Sequence, residues 1–164
     1  MKNSDKVVLA IYPNSRGFGY AFLEHATEPR DCGIVTIQPI CNHRCLNRIK
    51  KFVTHYEPTL VLLQDFQSVN SRKSRRVKDL VNEIITFCQN QSLRVCEYSQ
   101  EQIQFVFEQF KARTKHEIAK TIVDWLPQFK TKMPPIRKPW MCEDYHMGMF
   151  DAIALAITHF YLTD

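Results

Sequence analysis

Apolar and polar residues follow two different periods along this chain. Val7-Val8-Leu9-Ala10-Ile11-Tyr12 is an unbroken apolar run closed by Pro13, the mark of a strand buried on both faces. Asn14-Ser15-Arg16-Gly17 has turn chemistry. Phe18 to Leu23 and Cys32 to Ile37 read as a second and a third strand. The short loop assigned between them contains Thr27, Glu28 and Pro29, so the three strands predict an antiparallel meander. The period then changes. Leu46, Ile49, Phe52, Val53 and Tyr56 recur at helical spacing, and Pro58 closes that helix. Thr59-Leu60-Val61-Leu62-Leu63-Gln64 is another apolar strand run, ending at Asp65 and followed by a polar, basic loop. Val77, Leu80, Val81, Ile84, Ile85 and Cys88 mark a second helix, and Leu93 to Tyr98 a fifth strand.

Ser99-Gln100-Glu101-Gln102 and Thr114-Lys115-His116-Glu117 both match the capping box and predict helices near 100–109 and 115–126. Pro134, Pro135 and Pro139 make 130–142 an irregular connection. Met147 to Tyr161 is a last helix with few charges, expected to pack on the sheet. The order β-β-β-α-β-α-β-α-α-α predicts an α/β fold with a mixed five-stranded sheet. With no internal repeat and no break in composition, 1–164 reads as a single domain. A chain of 164 residues, 45% hydrophobic, is long enough to hide roughly 70% of its unfolded surface, which excludes a disordered or fibrous chain.

The first apolar run is too short for a signal peptide, and Ala152 to Leu162 is shorter than the roughly 18 residues a membrane span needs. A cytoplasmic protein is expected, so the six cysteines (Cys32, Cys41, Cys45, Cys88, Cys96, Cys142) read as reduced thiols. Cys41, His43 and Cys45 offer three zinc ligands, but no second cluster supplies a fourth. At the start of an amphipathic helix these thiols read instead as small hydrophobes.

Leu9-Ala10-Ile11-Tyr12-Pro13-Asn14-Ser15-Arg16-Gly17-Phe18-Gly19-Tyr20 resembles the opening of RuvC-type Holliday junction resolvases, where a strand ending in Ile-Asp-Pro-Gly-Ser-Arg precedes a Gly-Tyr strand. Asp151-Ala152-Ile153-Ala154-Leu155-Ala156-Ile157-Thr158-His159 resembles that family's last helix. Glu57-Pro58 through Asp65 is similar to the family's strand that ends in a catalytic Glu, and Lys115-His116-Glu117-Ile118-Ala119 falls at a similar Lys-led helix start. The resemblance spans nearly the whole chain. It implies a ribonuclease H-like fold: a three-strand antiparallel meander, then parallel strands, with helices on both faces.

The resemblance also implies a two-metal phosphodiesterase, in which two Mg²⁺ ions roughly 4 Å apart hold the scissile phosphate and activate water. Mg²⁺ takes hard oxygen ligands, so such a site needs clustered carboxylates. The family supplies four. The first aligns with Tyr12, whose phenol is a poor Mg²⁺ ligand at neutral pH, and the third aligns with Gly148. Asp65 and Asp151 align with the second and fourth and are the candidate catalytic and metal residues. The alternatives are a solvated strand-end residue for Asp65 and, for Asp151, a first-turn helix residue favoured by the dipole. Should the last helix start near Gly148, loop 142–147 can fold back and offer Asp144, Glu143 or His146 as a replacement ligand. The cofactor is then Mg or Mn if the site is active, and none otherwise.

The formal charge is +5, and Arg72, Lys73, Arg75, Arg76 and Lys78 carry five positive charges within seven residues. The rest of the chain is therefore neutral overall. Cations in a helix's first turn oppose its dipole, which favours a phosphate-binding role over a merely solvated helix start. Lys111, Arg113 and Lys115 form a second basic group. Phe66 is either an aromatic wedge between bases or a core residue. Three functions stay open: a nucleic-acid-binding protein without two-metal nuclease activity, an active Mg/Mn-dependent endonuclease with a rearranged site, and a protein-interaction module that has lost nucleic acid. The resemblance adds branched or duplex DNA as partner and a homodimer on a two-fold symmetric junction.

Overall fold

The computed structural model describes residues 7–67 and 72–163. Its elements run β1 (Val8–Asn14), β2 (Gly17–His25), β3 (Glu28–Thr36), α1 (Asn42–Tyr56), β4 (Leu60–Gln64), α2 (Arg75–Asn90), β5 (Arg94–Tyr98), α3 (Gln100–Glu108), α4 (Lys115–Trp125) and α5 (Met147–Thr163), with a 3-10 turn at Pro127–Lys132 before α5. One mixed sheet is ordered β3-β2-β1-β4-β5. β1 pairs antiparallel with β2 and parallel with β4, which explains its unbroken apolar run: Val8 to Tyr12 are buried throughout. Part of the basic loop after Asp65 (68–71) lies outside the described residues.

The meander differs from expectation at one point. Glu28 and Pro29 belong to β3 and not to a loop; Ala26 and Thr27 alone make the turn. Proline lacks an N–H and is tolerated here because β3 is an edge strand, and the β2–β3 register shifts beside it. The opening turn is held by Asn14, whose Oδ1 accepts the backbone N–H groups of Arg16 at 2.9 Å and Gly17 at 3.0 Å.

Side-chain alternation sorts the helices onto two faces. Phe18, Tyr20 and Phe22 of β2 meet Phe52 and Tyr56 of α1. Gly19 faces the other way, towards α5, where a Cβ atom would lie 1.9 Å from the carbonyl oxygen of Gly148. Strand and helix backbones are thus in direct contact at Gly19. The α3 and α4 helices begin as their capping boxes predict: Ser99 and Gln102 cap reciprocally, and Thr114 accepts the Glu117 N–H. Cys45 is fully buried against the sheet, in keeping with its reading as a small hydrophobe. No helix among the described residues is long and apolar enough to cross a membrane.

Gly19→Ala forces the two backbones apart and is expected to lower unfolding stability by about 2–3 kcal/mol in urea titration. Gly33→Ala, on the edge strand, meets only the movable Tyr20 ring. It is expected to cost less than about 1 kcal/mol.

Candidate functional site

Register decides which side chains meet at the carboxyl end of β1. Tyr12 lies opposite Gly19 and so points to the α5 face. Ala10 pairs with Leu62 on β4, so Leu62 and, two residues on, Gln64 share that face. The same alternation turns Asp65 to the other side. Its carboxylate accepts the Gln67 N–H at 2.9 Å, and its charge helps raise the pKa of Glu97 on β5, where burial is the larger cause. Gln64 is buried, donates to Gln100 Oε1 at 2.9 Å and lines a small cavity of about 20 Å³ with Lys115 and Asp151. The residue of β4 that reaches the cluster is therefore an amide, one position before the expected acid.

Lys115, the first residue of α4, sends its ammonium into the middle of this cluster. Its Nζ lies 3.2 Å from Asp151 Oδ2, 3.2 Å from Glu143 Oε1 and 3.5 Å from the Tyr12 hydroxyl. Glu143 comes from the connection before α5, which starts at Met147, so the loop does fold back. Of its three candidate ligands only Glu143 turns inward. Asp144 accepts the His146 N–H at 2.9 Å and faces the His146 ring at 3.2 Å. Asp151 sits beyond the first turn of α5, so the helix dipole does not account for it.

A second ammonium, that of Lys73, lies 4.5 Å from the Tyr12 ring centroid and 5.2 Å from that of Phe66. Phe66 is buried and packs edge-on against Tyr12, which places it in the core. The charges of Lys115 and Lys73 thus balance those of Asp151 and Glu143. Burial raises the Tyr12 pKa well above that of an ordinary phenol, Asp151 adds to this, and Lys115 only partly opposes it. Burial also pushes the Asp151 carboxyl up to about 6, with Lys115 working against the shift and Glu143 adding to it. For Lys115, burial favours the neutral amine, but Asp151, Tyr12 and Glu143 together hold the ammonium charged far into alkaline pH.

This donor set does not fit two Mg²⁺ ions. The residue on β1 is a protonated phenol, the residue on β4 is an amide, and an ammonium occupies the space among the remaining acids. At Gly148 a Cβ would come within 2.7 Å of Asn14 Nδ2, and Asn14 is held by its turn bonds, so the position that would carry a third acid is filled. Among the described residues, no three His, Cys, Asp or Glu side chains are grouped to hold a metal ion.

Beside the cluster runs a groove of about 410 Å³ with Arg16, Arg72 and Lys73 among its lining residues and Glu143, Asp144 and Tyr145 among the others. The basic residues have separate fates. Arg75 is highly exposed, with a loose 3.9 Å contact to Asp79. Arg76 is committed to the fold: it donates to Asn42 Oδ1 at 2.9 Å and to the Asn14 carbonyl at 2.6 Å. Lys78 is half-buried, Lys111 is exposed, and Arg113 makes a loose 3.9 Å contact with Glu108. Arg16 also adds a cation to the groove; the sequence marks it as part of a turn and of the family-like opening segment, not as a basic contact.

No protein-family model and no curated protein sequence matches the chain. Its fold is that of the RuvC-type resolvases within the ribonuclease H-like class. Among solved structures it is similar to Thermus thermophilus RuvC (TM-score 0.66, 16% identity, 95% of each chain covered). The T. thermophilus RuvC complex with Holliday junction substrate gives TM-score 0.65 at 18% identity, covering 96% of this chain and 94% of that one. The yeast mitochondrial Holliday junction resolvase gives TM-score 0.66 at 10% identity, covering 94% of this chain and 77% of that one.

Two outcomes follow from the charge cluster. Lys115→Met leaves Asp151 and Glu143 without their shared cation and is expected to cost about 2–3 kcal/mol of stability; in an Asp151→Asn background the loss should shrink by at least half, as a double-mutant cycle measures. The Asp151 carboxyl binds its proton more tightly folded (about 6) than its reference value of 3.8. Between roughly pH 4 and 6 the folded state therefore holds the extra proton, and this group's contribution makes stability fall as pH rises through 6. Urea titrations from pH 4 to 7 should show that slope in the parent and a flatter one in Asp151→Asn.

Proposed function

We propose that this chain is a RuvC-like protein that binds branched or duplex DNA without two-metal nuclease chemistry, as a homodimer where the junction is two-fold symmetric. The observation that carries the reading is Lys115: its ammonium lies among Tyr12, Glu143 and Asp151 and puts an internal positive charge against the two carboxylates that would otherwise be open to divalent ions. An ammonium neutralises carboxylates but cannot lower the pKa of a bound water or accept a phosphoryl oxygen as a Lewis acid. Asp65 and Asp151 are then residual acids rather than catalytic ones. Phosphate contact falls to Arg72, Lys73 and Arg75, supported by the groove that Arg72 and Lys73 line and by the exposure of Arg75. Lys78, Lys111 and Arg113 are further candidate contacts outside the groove's lining, whereas Arg76 serves the fold.

Gel-shift and cleavage assays on four-way junction, duplex and single-stranded substrates with Mn²⁺ test this. Shifted complexes that weaken steeply with salt, and intact substrates, are expected. Arg72→Glu with Arg75→Glu should flatten the plot of log affinity against log salt by about 2, the equivalent of two phosphate contacts. Cleavage that disappears in Asp65→Asn or Asp151→Asn would establish an active endonuclease instead. If no nucleic acid binds, a protein-interaction module replaces the proposal.

A further inference from the structure

A further cationic segment lies between α4 and α5, outside the cluster. From Pro127 to Cys142 the chain carries Lys130, Lys132, Arg137 and Lys138 and no acidic residue. Within it Lys138-Pro139-Trp140-Met141 is a tight turn, closed by the Met141 N–H to the Lys138 carbonyl at 2.9 Å. Pro139 occupies the second position, where its fixed φ suits a turn, and Trp140 the third. Arg137 Nε donates to the Met141 carbonyl at 2.8 Å and braces the same turn.

Trp140 stands at the tip with 78% of its surface exposed, and Ile136, four residues earlier, is 73% exposed. The Lys138 ammonium lies 5.4 Å from the indole centroid. An indole left in water forgoes the gain of burying its apolar surface, so its display on a braced turn asks for a ligand. Pro134, Pro135 and Pro139 narrow the chain's freedom before binding, so little ordering entropy remains to be lost. Two residues after the turn comes Glu143 of the cluster, and Cys142 to Tyr145 line the groove that also holds Arg72 and Lys73.

We propose that Trp140 is a stacking platform for an unpaired nucleotide, flanked by Arg137 and Lys138 as phosphate contacts, on a strand that continues along the groove. The inference rests on the nucleic-acid reading above and specifies that the bound molecule presents single-stranded bases. The chemistry selects this partner. An indole face stacks on any base whose own face is open, and duplex interiors offer none. A run of four cations with no acid matches a polyanion better than an ordinary protein surface.

Trp125 and Trp140 are the two tryptophans, so Trp125→Phe leaves Trp140 as the sole indole reporter. Titrating this variant with a sixteen-nucleotide oligothymidylate in low salt should quench its emission saturably, with recovery on adding salt. Trp140→Ala should weaken binding of the same strand about tenfold, and Trp140→Phe should restore most of it. Thermal unfolding of Trp140→Ala should match the parent. If the strand binds Trp140→Ala as tightly as the parent and the emission stays constant, the inference falls while nucleic-acid binding stands, and the Ile136–Trp140 surface passes to a protein partner. If neither this strand nor a four-way junction binds the parent, both readings fall.

Discussion

Where Gly148 of α5 crosses Gly19 of β2, two backbones touch without side chains between them. That contact sets the height at which α5 begins and the face of the sheet it covers. Three residues further on, Asp151 is thereby set beside Tyr12, because Tyr12 lies directly opposite Gly19 in the sheet. The same closeness leaves no volume for a side chain at 148, where Asn14 already stands as part of its own turn. Packing and chemistry are coupled here: the residue that lets the helix dock is the residue that cannot carry an acid.

The consequence is a site balanced by its own side chains. Two carboxylates at the mouth of a sheet would repel each other and attract cations from solution. In this chain the cation is covalently supplied by Lys115, with Lys73 against the Tyr12 ring as a second positive charge. Tyr12 is kept protonated by its burial, so it adds bulk and a hydroxyl rather than charge. The fold is that of the RuvC-type resolvases, and the cluster at the mouth of its sheet holds its own cations.

The elements were readable wherever local chemistry decides them. The apolar run of β1, the helical spacing of α2 and the two capping boxes are short-range signals, and each appears where it points. Pro29 misled because its tolerance depends on β3 being an edge, which is a property of the sheet and not of the segment. Gln64 was hidden for a related reason: β4 is apolar on both sides, so its residues do not alternate and its inward face cannot be told without register. The sequence groups Lys115 with Lys111 and Arg113 as a basic set at a family-like helix start. The place of Lys115 among Tyr12, Glu143 and Asp151 joins three stretches far apart in sequence, and the packing of α4 against α5 helps bring them together. Asp151, by contrast, is singled out by the resemblance of its helix to the family's last helix.

In the reading proposed above, Lys115 fills the position of a divalent ion. That placement is tested most directly by soaking crystals in Mn²⁺ and recording anomalous scattering. No anomalous peak is expected among Tyr12, Glu143 and Asp151, with the Lys115 ammonium in continuous density between the two carboxylates. A manganese peak bound by Asp151, with Lys115 swung out to solvent, would contradict that placement.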